Sequence, residues 1–149
     1  MLITAYCHII KSNKMELTIR NLQESDWDTL VSWWNGWRGW TAPSKDSLPK
    51  DGTGGFIVEK YNIPIVAGFV YLSNSKTVFF DWVISNPEYK DKDRKDAIRL
   101  LISGMEHVIK NAGYKYIFSI TRNSTLLKIH EELGYIIDKT KSHELVKIL

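Results

Sequence analysis

Two titratable side chains stand among apolar neighbours, and each is of a type suited to moving a proton. Asp81 interrupts the strand-like run Val78-Phe79-Phe80-Asp81-Trp82-Val83-Ile84. A carboxyl group in that setting is turned to solvent, held by a polar contact, or partly buried with its proton affinity raised; in the last state it can act as a base. His130 shares a helical face with Leu126, Leu127 and Leu133 at spacings of three and four. Imidazole exchanges protons near neutral pH. On an apolar face such a ring is either a core residue with satisfied nitrogens or a group presented to a cleft.

A second group of residues suits binding. Four of the six tryptophans fall between Trp33 and Trp40. Trp27, Leu30, Val31 and Trp34 keep helical spacing and form a buried stripe. Trp33, Trp37 and Trp40 lie off it, beside Arg38. They read either as an aromatic wall that holds an amine or an aromatic molecule by stacking or cation–π contact, or as core packing and loop anchoring. Lys90-Asp91-Lys92-Asp93-Arg94-Lys95-Asp96 alternates in sign. Gly52-Thr53-Gly54-Gly55 lacks the Lys-Ser/Thr ending of a phosphate loop and leads into a strand, so it reads as a flexible loop.

The chain has 149 residues, with 44% hydrophobic and 25% charged, the balance of one soluble globular domain, and 1–149 is read as that domain. A formal net charge of +3 with interspersed signs argues against a nucleic-acid partner. Its single cysteine, Cys7, excludes an internal disulfide and a thiolate zinc cluster, so no metal is expected. Cysteine usage fits a reducing compartment, hence a cytoplasmic location. No apolar run approaches the length that crosses a bilayer, so no membrane partner is expected. Residues 1–14 lack a signal-peptide pattern and read as an extra strand or a loose extension, with Met15 as an alternative start.

These residues need elements to position them. Residues 16–22 alternate as a strand. Ser25 reads as the N-cap of a helix with Asp26 and Asp28 in its first turn, ending at Gly36 or Gly39. Residues 41–55, rich in proline and glycine, form a loop. Three strands, 56–60, 65–72 and 77–85, follow with the turn-like links Tyr61-Asn62 and Ser73-Asn74-Ser75, which predicts an antiparallel meander. Ala97, Leu101, Met105, Val108 and Ala112 mark a long amphipathic helix that Gly113 stops. A strand over 114–121 precedes a short helix capped by Asn123 or Ser124 and ended by Gly134. Residues 135–138 and 143–149 read as closing strands. The sum is one α/β (α+β) domain with a mixed sheet.

That order, with two local stretches, resembles the GNAT acyltransferases, the coenzyme-A-dependent N-acetyltransferases. Asn123-Ser124-Thr125-Leu126-Leu127-Lys128-Ile129-His130-Glu131-Glu132-Leu133-Gly134-Tyr135 is similar to the family's closing motif: an Asn, a short amphipathic helix, an acidic residue, Leu, Gly and an aromatic. Val83-Ile84-Ser85-Asn86-Pro87-Glu88-Tyr89, leading into the long helix, resembles its strand-to-helix cofactor segment. The resemblance covers roughly residues 15–138. It implies a mostly antiparallel sheet with one splayed parallel pair, 77–85 beside 114–121. The pantetheine arm of acetyl-coenzyme A would run along the backbone of Val83, Ile84 and Ser85. The start of the long helix would hold the pyrophosphate with Lys92, Arg94, Lys95, Asp96 and Ala97, because helix N-termini offer free N–H groups and a positive dipole end. Asn123 would contribute to the same cleft. The two glycine positions of the family's pattern fall on Lys95 and Ala97, and its basic or glutamine position on Lys92.

By the same resemblance, His130 takes the place of the tyrosine that protonates the departing thiolate. Asp81 is similar to the strand-borne base of some members, and Trp33, Trp37 and Trp40 lie where the family builds its acceptor pocket. The implied function is acetyl transfer from acetyl-coenzyme A to a primary amine of a small molecule or peptide, by direct attack in a ternary complex, with a homodimer as the implied assembly. The rival reading is a GNAT-shaped binding or structural protein without catalysis, which the substituted glycines would allow.

Overall fold

The computed structural model describes residues 16–149. The segment 1–14, with Cys7, and the alternative start at Met15 lie outside the described residues. Five strands make one sheet in the order β1-β2-β3-β4-β5: β1 (Leu17–Asn21), β2 (Gly55–Lys60), β3 (Ile63–Leu72), β4 (Thr77–Ser85) and β5 (Tyr116–Ser119). The first four pair antiparallel as the expected meander, and β4 pairs parallel with β5. The β2–β3 hairpin closes on Tyr61 and Asn62, both at positive φ (49° and 64°). Two successive left-handed residues give the primed turn whose twist matches the strands.

Three helices flank the sheet: α1 (Trp27–Gly36), α2 (Arg94–Asn111) and α3 (Ser124–Glu132). α2 is the parallel crossover from β4 to β5. Its apolar stripe, including Leu101, Ile102 and Met105, is buried against Ile19, Val58 and Phe80 on one sheet face. Gly104 sets the distance of approach, since a Cβ there would lie 2.7 Å from Ile19 Cδ1. α1 packs on the opposite face, where Leu30, Trp33 and Trp34 meet Ile57, Ala67 and Phe69. Each fully buried aliphatic or aromatic side chain of these layers contributes about 1.5–3 kcal/mol relative to exposure. Gly113, at φ 90°, ends α2 as its composition predicts.

Three local expectations are corrected. Ser25 is exposed and caps nothing. The chain enters α1 through a 3₁₀ turn, Glu24–Asp26, in which the Gln23 N–H donates to Asp26 Oδ2 at 2.8 Å. Asp26 is drawn inward because the Arg20 guanidinium donates to both of its oxygens, at 2.8 and 2.9 Å. Residues 52–55 form a hydrogen-bonded turn: the Gly54 N–H donates to the Pro49 carbonyl at 2.8 Å, and Gly52 packs on the Trp27 ring. The closing segments 135–138 and 143–149 form no strand. Ile136, Leu145, Val146 and Ile148 are exposed, and the Asp138 carboxylate turns the chain by accepting the Thr140 N–H at 2.8 Å. Their alternation therefore has no buried face to serve. No helix among the described residues is long and apolar enough to cross a membrane.

Candidate active site

The parallel pair opens where the chemistry is expected. β4 and β5 are in register over four rungs, from Thr77↔Tyr116 to Phe80↔Ser119. Beyond Phe80, β4 runs on to Ser85 with β3 alone. On that side the register jumps from Phe69↔Asp81 to Ala67↔Ile84. Trp82 and Val83 thus oppose the single residue Gly68, which is a β-bulge. Trp82 sits at φ 55°, a left-handed conformation that a bulky side chain adopts only under constraint from its surroundings. Gly68 permits the kink, since a Cβ there would meet the Phe80 ring at 2.6 Å. Val83 consequently has no ladder partner on either side, which frees its backbone for a ligand lying in the gap.

The start of α2 stands beyond the end of β4. The backbone N–H of Arg94 donates to the Asp91 carbonyl and that of Ala97 to the Asp93 carbonyl. Those of Lys95 and Asp96 find no acceptor among the described residues. Two adjacent free amides at a helix start suit an anion. Asp93 does not oppose them with a free charge. It is buried, accepts from Lys60 Nζ at 2.7 Å and from the Tyr89 hydroxyl at 2.6 Å, and those two donors hold its carboxyl below the usual range. Composition alone counts Asp93 against phosphate binding; its position before the helix was the one hint that it serves the fold.

The other expected anion ligands are divided. Lys92 and Lys95 are exposed cations near the helix start. Asp96 pairs with Arg99 at 3.1 Å. The Ala97 side chain is buried in the core. Arg94 is spent internally: its guanidinium donates to the carbonyls of Asn86, at 3.1 Å, and Tyr89, and lies over the Trp37 ring. The Trp37 indole N–H in turn donates to the Ser85 carbonyl at 2.8 Å. Of the pantetheine segment, Ser85 is thus committed to Trp37, while Ile84 turns to the α1 side of the core and Val83 to the α2 side.

His130 is 4% exposed, with its ring near Phe80, the last β4 residue paired to β5 (centroids 6.5 Å apart). It therefore stands where the strands begin to part. Nδ1 lies 2.8 Å from the Leu126 carbonyl; a carbonyl only accepts, so Nδ1 carries a proton. Nε2 is buried without a partner. The ring packs edge-on against Tyr135 at 4.7 Å, and the Tyr135 hydroxyl is also buried without a hydrogen bond. Burial, reinforced by the nearby Glu106 carboxylate, raises that phenol well above its ordinary value. Asn123 caps α3 by accepting the Leu126 N–H at 2.9 Å, as expected.

Asp81 lies on the sheet face that carries α1, in register with Phe69. Its Oδ1 accepts the Trp82 N–H at 2.7 Å across the bulge, and burial pushes its carboxyl up. The tryptophan wall does not form. Trp33 is 4% exposed and belongs to the α1 core, which corrects its assignment to a substrate pocket: α1 is short enough that three of its side chains, one off the predicted stripe, reach the sheet. Trp37 is the half-buried tether just described, and Trp40 alone of the three is exposed.

No protein-family model matches the sequence, and no curated protein does. Solved structures match the fold across most of the chain. The ribosomal-protein-S18-alanine N-acetyltransferase from Escherichia coli has a TM-score of 0.65 at 13% identity, covering 79% of this chain and 76% of that one. A putative acetyltransferase from Salmonella typhimurium, solved with its cofactor acetyl-CoA, has a TM-score of 0.61 at 17% identity, covering 83% and 81%. An acetyltransferase of the GNAT family from Streptococcus pneumoniae TIGR4 has a TM-score of 0.60 at 13% identity, covering 89% and 99%. The chain has the GNAT acetyltransferase fold.

Proposed function

We propose that the protein is an acetyl-coenzyme-A-dependent N-acetyltransferase acting on a primary amine. One observation carries the reading: the β4–β5 pairing stops at Phe80 and Ser119, and the gap beyond it runs from an unpaired Val83 toward two free amides at the start of α2. A thioester arm lying in such a gap finds backbone groups along its length and an anion site at its mouth. Acetyl-coenzyme A, when bound, supplies the activated acetyl group. The amides of Lys95 and Asp96, with the exposed Lys92 and Lys95 side chains, hold the pyrophosphate, and Val83 holds the arm.

Asp81 takes the proton of the incoming ammonium, directly or through water; its raised carboxyl makes it a stronger base than a surface aspartate. His130 keeps its Nδ1 proton on the Leu126 carbonyl, so it serves as the acid only when Nε2 also carries a proton. Direct attack in a ternary complex suits this arrangement, since base and acid flank one gap. A second reading, a binding protein without turnover, is favoured by the Arg94–Trp37–Ser85 tether, which occupies groups that a cofactor would use.

Isothermal titration with acetyl-coenzyme A and with desulfo-coenzyme A, followed by thiol-release assays over a panel of amines, tests both. Micromolar binding with amine-dependent thiol release is expected. Binding without release supports the second reading, and no binding of either ligand removes the first reading and also supports the second.

A further inference from the structure

We propose that the open face of β4 and β5 on the α1 side binds the acceptor, and that this acceptor is a primary amine carried on a flat apolar body. The body lies on Phe79 and Phe118 and the ammonium group meets Asp81. The inference rests on the acetyltransferase reading and names its substrate class.

Direction of approach comes first. The gap between β4 and β5 opens to both faces of the sheet. α2 lies on one face, so an anion at its start occupies that mouth. A second substrate must then enter from the α1 face. β4 alternates before the bulge: Val78 and Phe80 point to the α2 side, Phe79 and Asp81 to the α1 side. β5 does the same, with Phe118 in register beside Phe79.

Among the described residues, no helix lies over that half of the face. α1 covers the part built by Ile57, Ala67 and Phe69. Phe79, Tyr116 and Phe118 remain 47%, 61% and 58% exposed. The Phe79 and Phe118 rings pack at 5.8 Å with 35° between their planes, presenting one continuous aromatic surface. A clustered exposed aromatic patch is far less common than scattered exposed side chains and marks a binding surface.

Charge complementarity selects the occupant. Asp81 has no cationic partner among the described residues. Glu144, in an exposed pair with Arg122 at 3.5 Å, is a second carboxylate near it and helps raise the Asp81 carboxyl. The Tyr71 hydroxyl, on the same face, donates to the Ser47 carbonyl at 3.1 Å. One unpaired, half-buried carboxylate therefore edges an aromatic surface. Residues two apart on a strand are separated by about 7 Å. That is the span between an ammonium group and a ring joined by a short aliphatic link.

The test uses the full chain with 2-phenylethylamine and spermidine as probes, titrated by calorimetry without cofactor and assayed for thiol release with it. 2-Phenylethylamine should bind, and Phe118→Ser, at an exposed position, should weaken it about tenfold. Tyr116→Ser provides a second exposed variant on the same face, and Asp81→Asn should remove binding of the amine. Spermidine binding as tightly as 2-phenylethylamine, or Phe118→Ser leaving binding unchanged, overturns the proposal. So does sedimentation showing a dimer that Phe118→Ser dissociates, because the face is then a subunit interface. Acetyl-coenzyme A binding with thiol release to spermidine alone keeps the acetyltransferase reading and sinks this one. Binding of 2-phenylethylamine without any coenzyme A binding leaves an amine site on this face but removes the acetyltransferase reading and, with it, the acceptor role.

Discussion

The guanidinium of Arg94 lies 5.9 Å above the Trp37 ring, and the same indole donates its N–H to the Ser85 carbonyl. One side chain from the end of α1 thus ties the end of β4 to the first turn of α2. Those two elements carry the contacts proposed for the pantetheine arm and the pyrophosphate.

Trp37→Phe keeps a ring under Arg94 and loses the hydrogen bond, at a cost of about 1 kcal/mol. Trp37→Ala removes both and should cost about 2–3 kcal/mol, given its half-buried position. Urea denaturation measures both. Coenzyme A affinity separates the roles: a tether that only supports the fold leaves it unchanged in Trp37→Phe, whereas one that competes with the ligand for Ser85 makes binding tighter.

His130→Ala should lower turnover by roughly 10²-fold and leave coenzyme A affinity nearly intact, as expected when a proton donor is lost. Because the ring is buried, His130→Gln is the companion variant that fills the space without a titratable group. Undiminished kcat in both removes His130 from the chemistry and directs attention to Tyr135, which packs against it.

Asp81→Asn should gain stability while losing activity. The folded carboxyl is raised by burial, so the native state holds its proton to higher pH than the unfolded chain does. Stability then falls as pH rises from the unfolded value, about 4, through the folded one. Asn carries no charge to desolvate. Thermal melts at pH 7 should place the variant above wild type, with the difference vanishing in acid; equal melting at both pH values contradicts a buried carboxyl.

Asp93 has the opposite sign. Lys60 first, and then Tyr89, hold its carboxyl down, so its contribution is complete above the unfolded value near 4 and is lost as pH falls through the folded value. Asp93→Asn should be less stable than wild type at pH 7 and converge with it in strong acid. A pH-independent difference would assign the effect to packing.

Much of the fold was readable because it follows periodicity. Alternation over 77–85 and helical spacing from Ala97 to Ala112 located β4 and α2, and the turn residues Tyr61 and Asn62 placed a hairpin. The order of the elements carried the rest. Features set by tertiary contact were not readable. The glycines at 36 and 39 set Trp40 beyond the helix, but nothing in the string shows that Trp33, off the predicted stripe, is core, since the way α1 docks decides which of its residues are buried. The bulge at Trp82 left no signal beyond a break in alternation. Asp93 and Arg94 look like surface charges until Lys60, Tyr89 and Trp37 are brought to them across the fold.

The four-rung parallel pairing also has a kinetic side. β2 to β4 are joined through antiparallel hairpins with tight turns, whereas a helix and its flanking loops separate β1 from β2 and β4 from β5. β5 can add only after the 18 residues of α2 have been ordered between it and β4. Contacts that close long loops form late, because chain entropy is lost before they are made. β5, only four residues long and at the end of the strand order, is then a late and weakly held strand, and the cleft exists only while it is docked. A ligand spanning β4 and β5 acts as a staple on this late element. Amide protons of Ile117 and Phe118 should exchange faster than those of Ile57 and Val66 in the free protein, and slow most when the gap is filled.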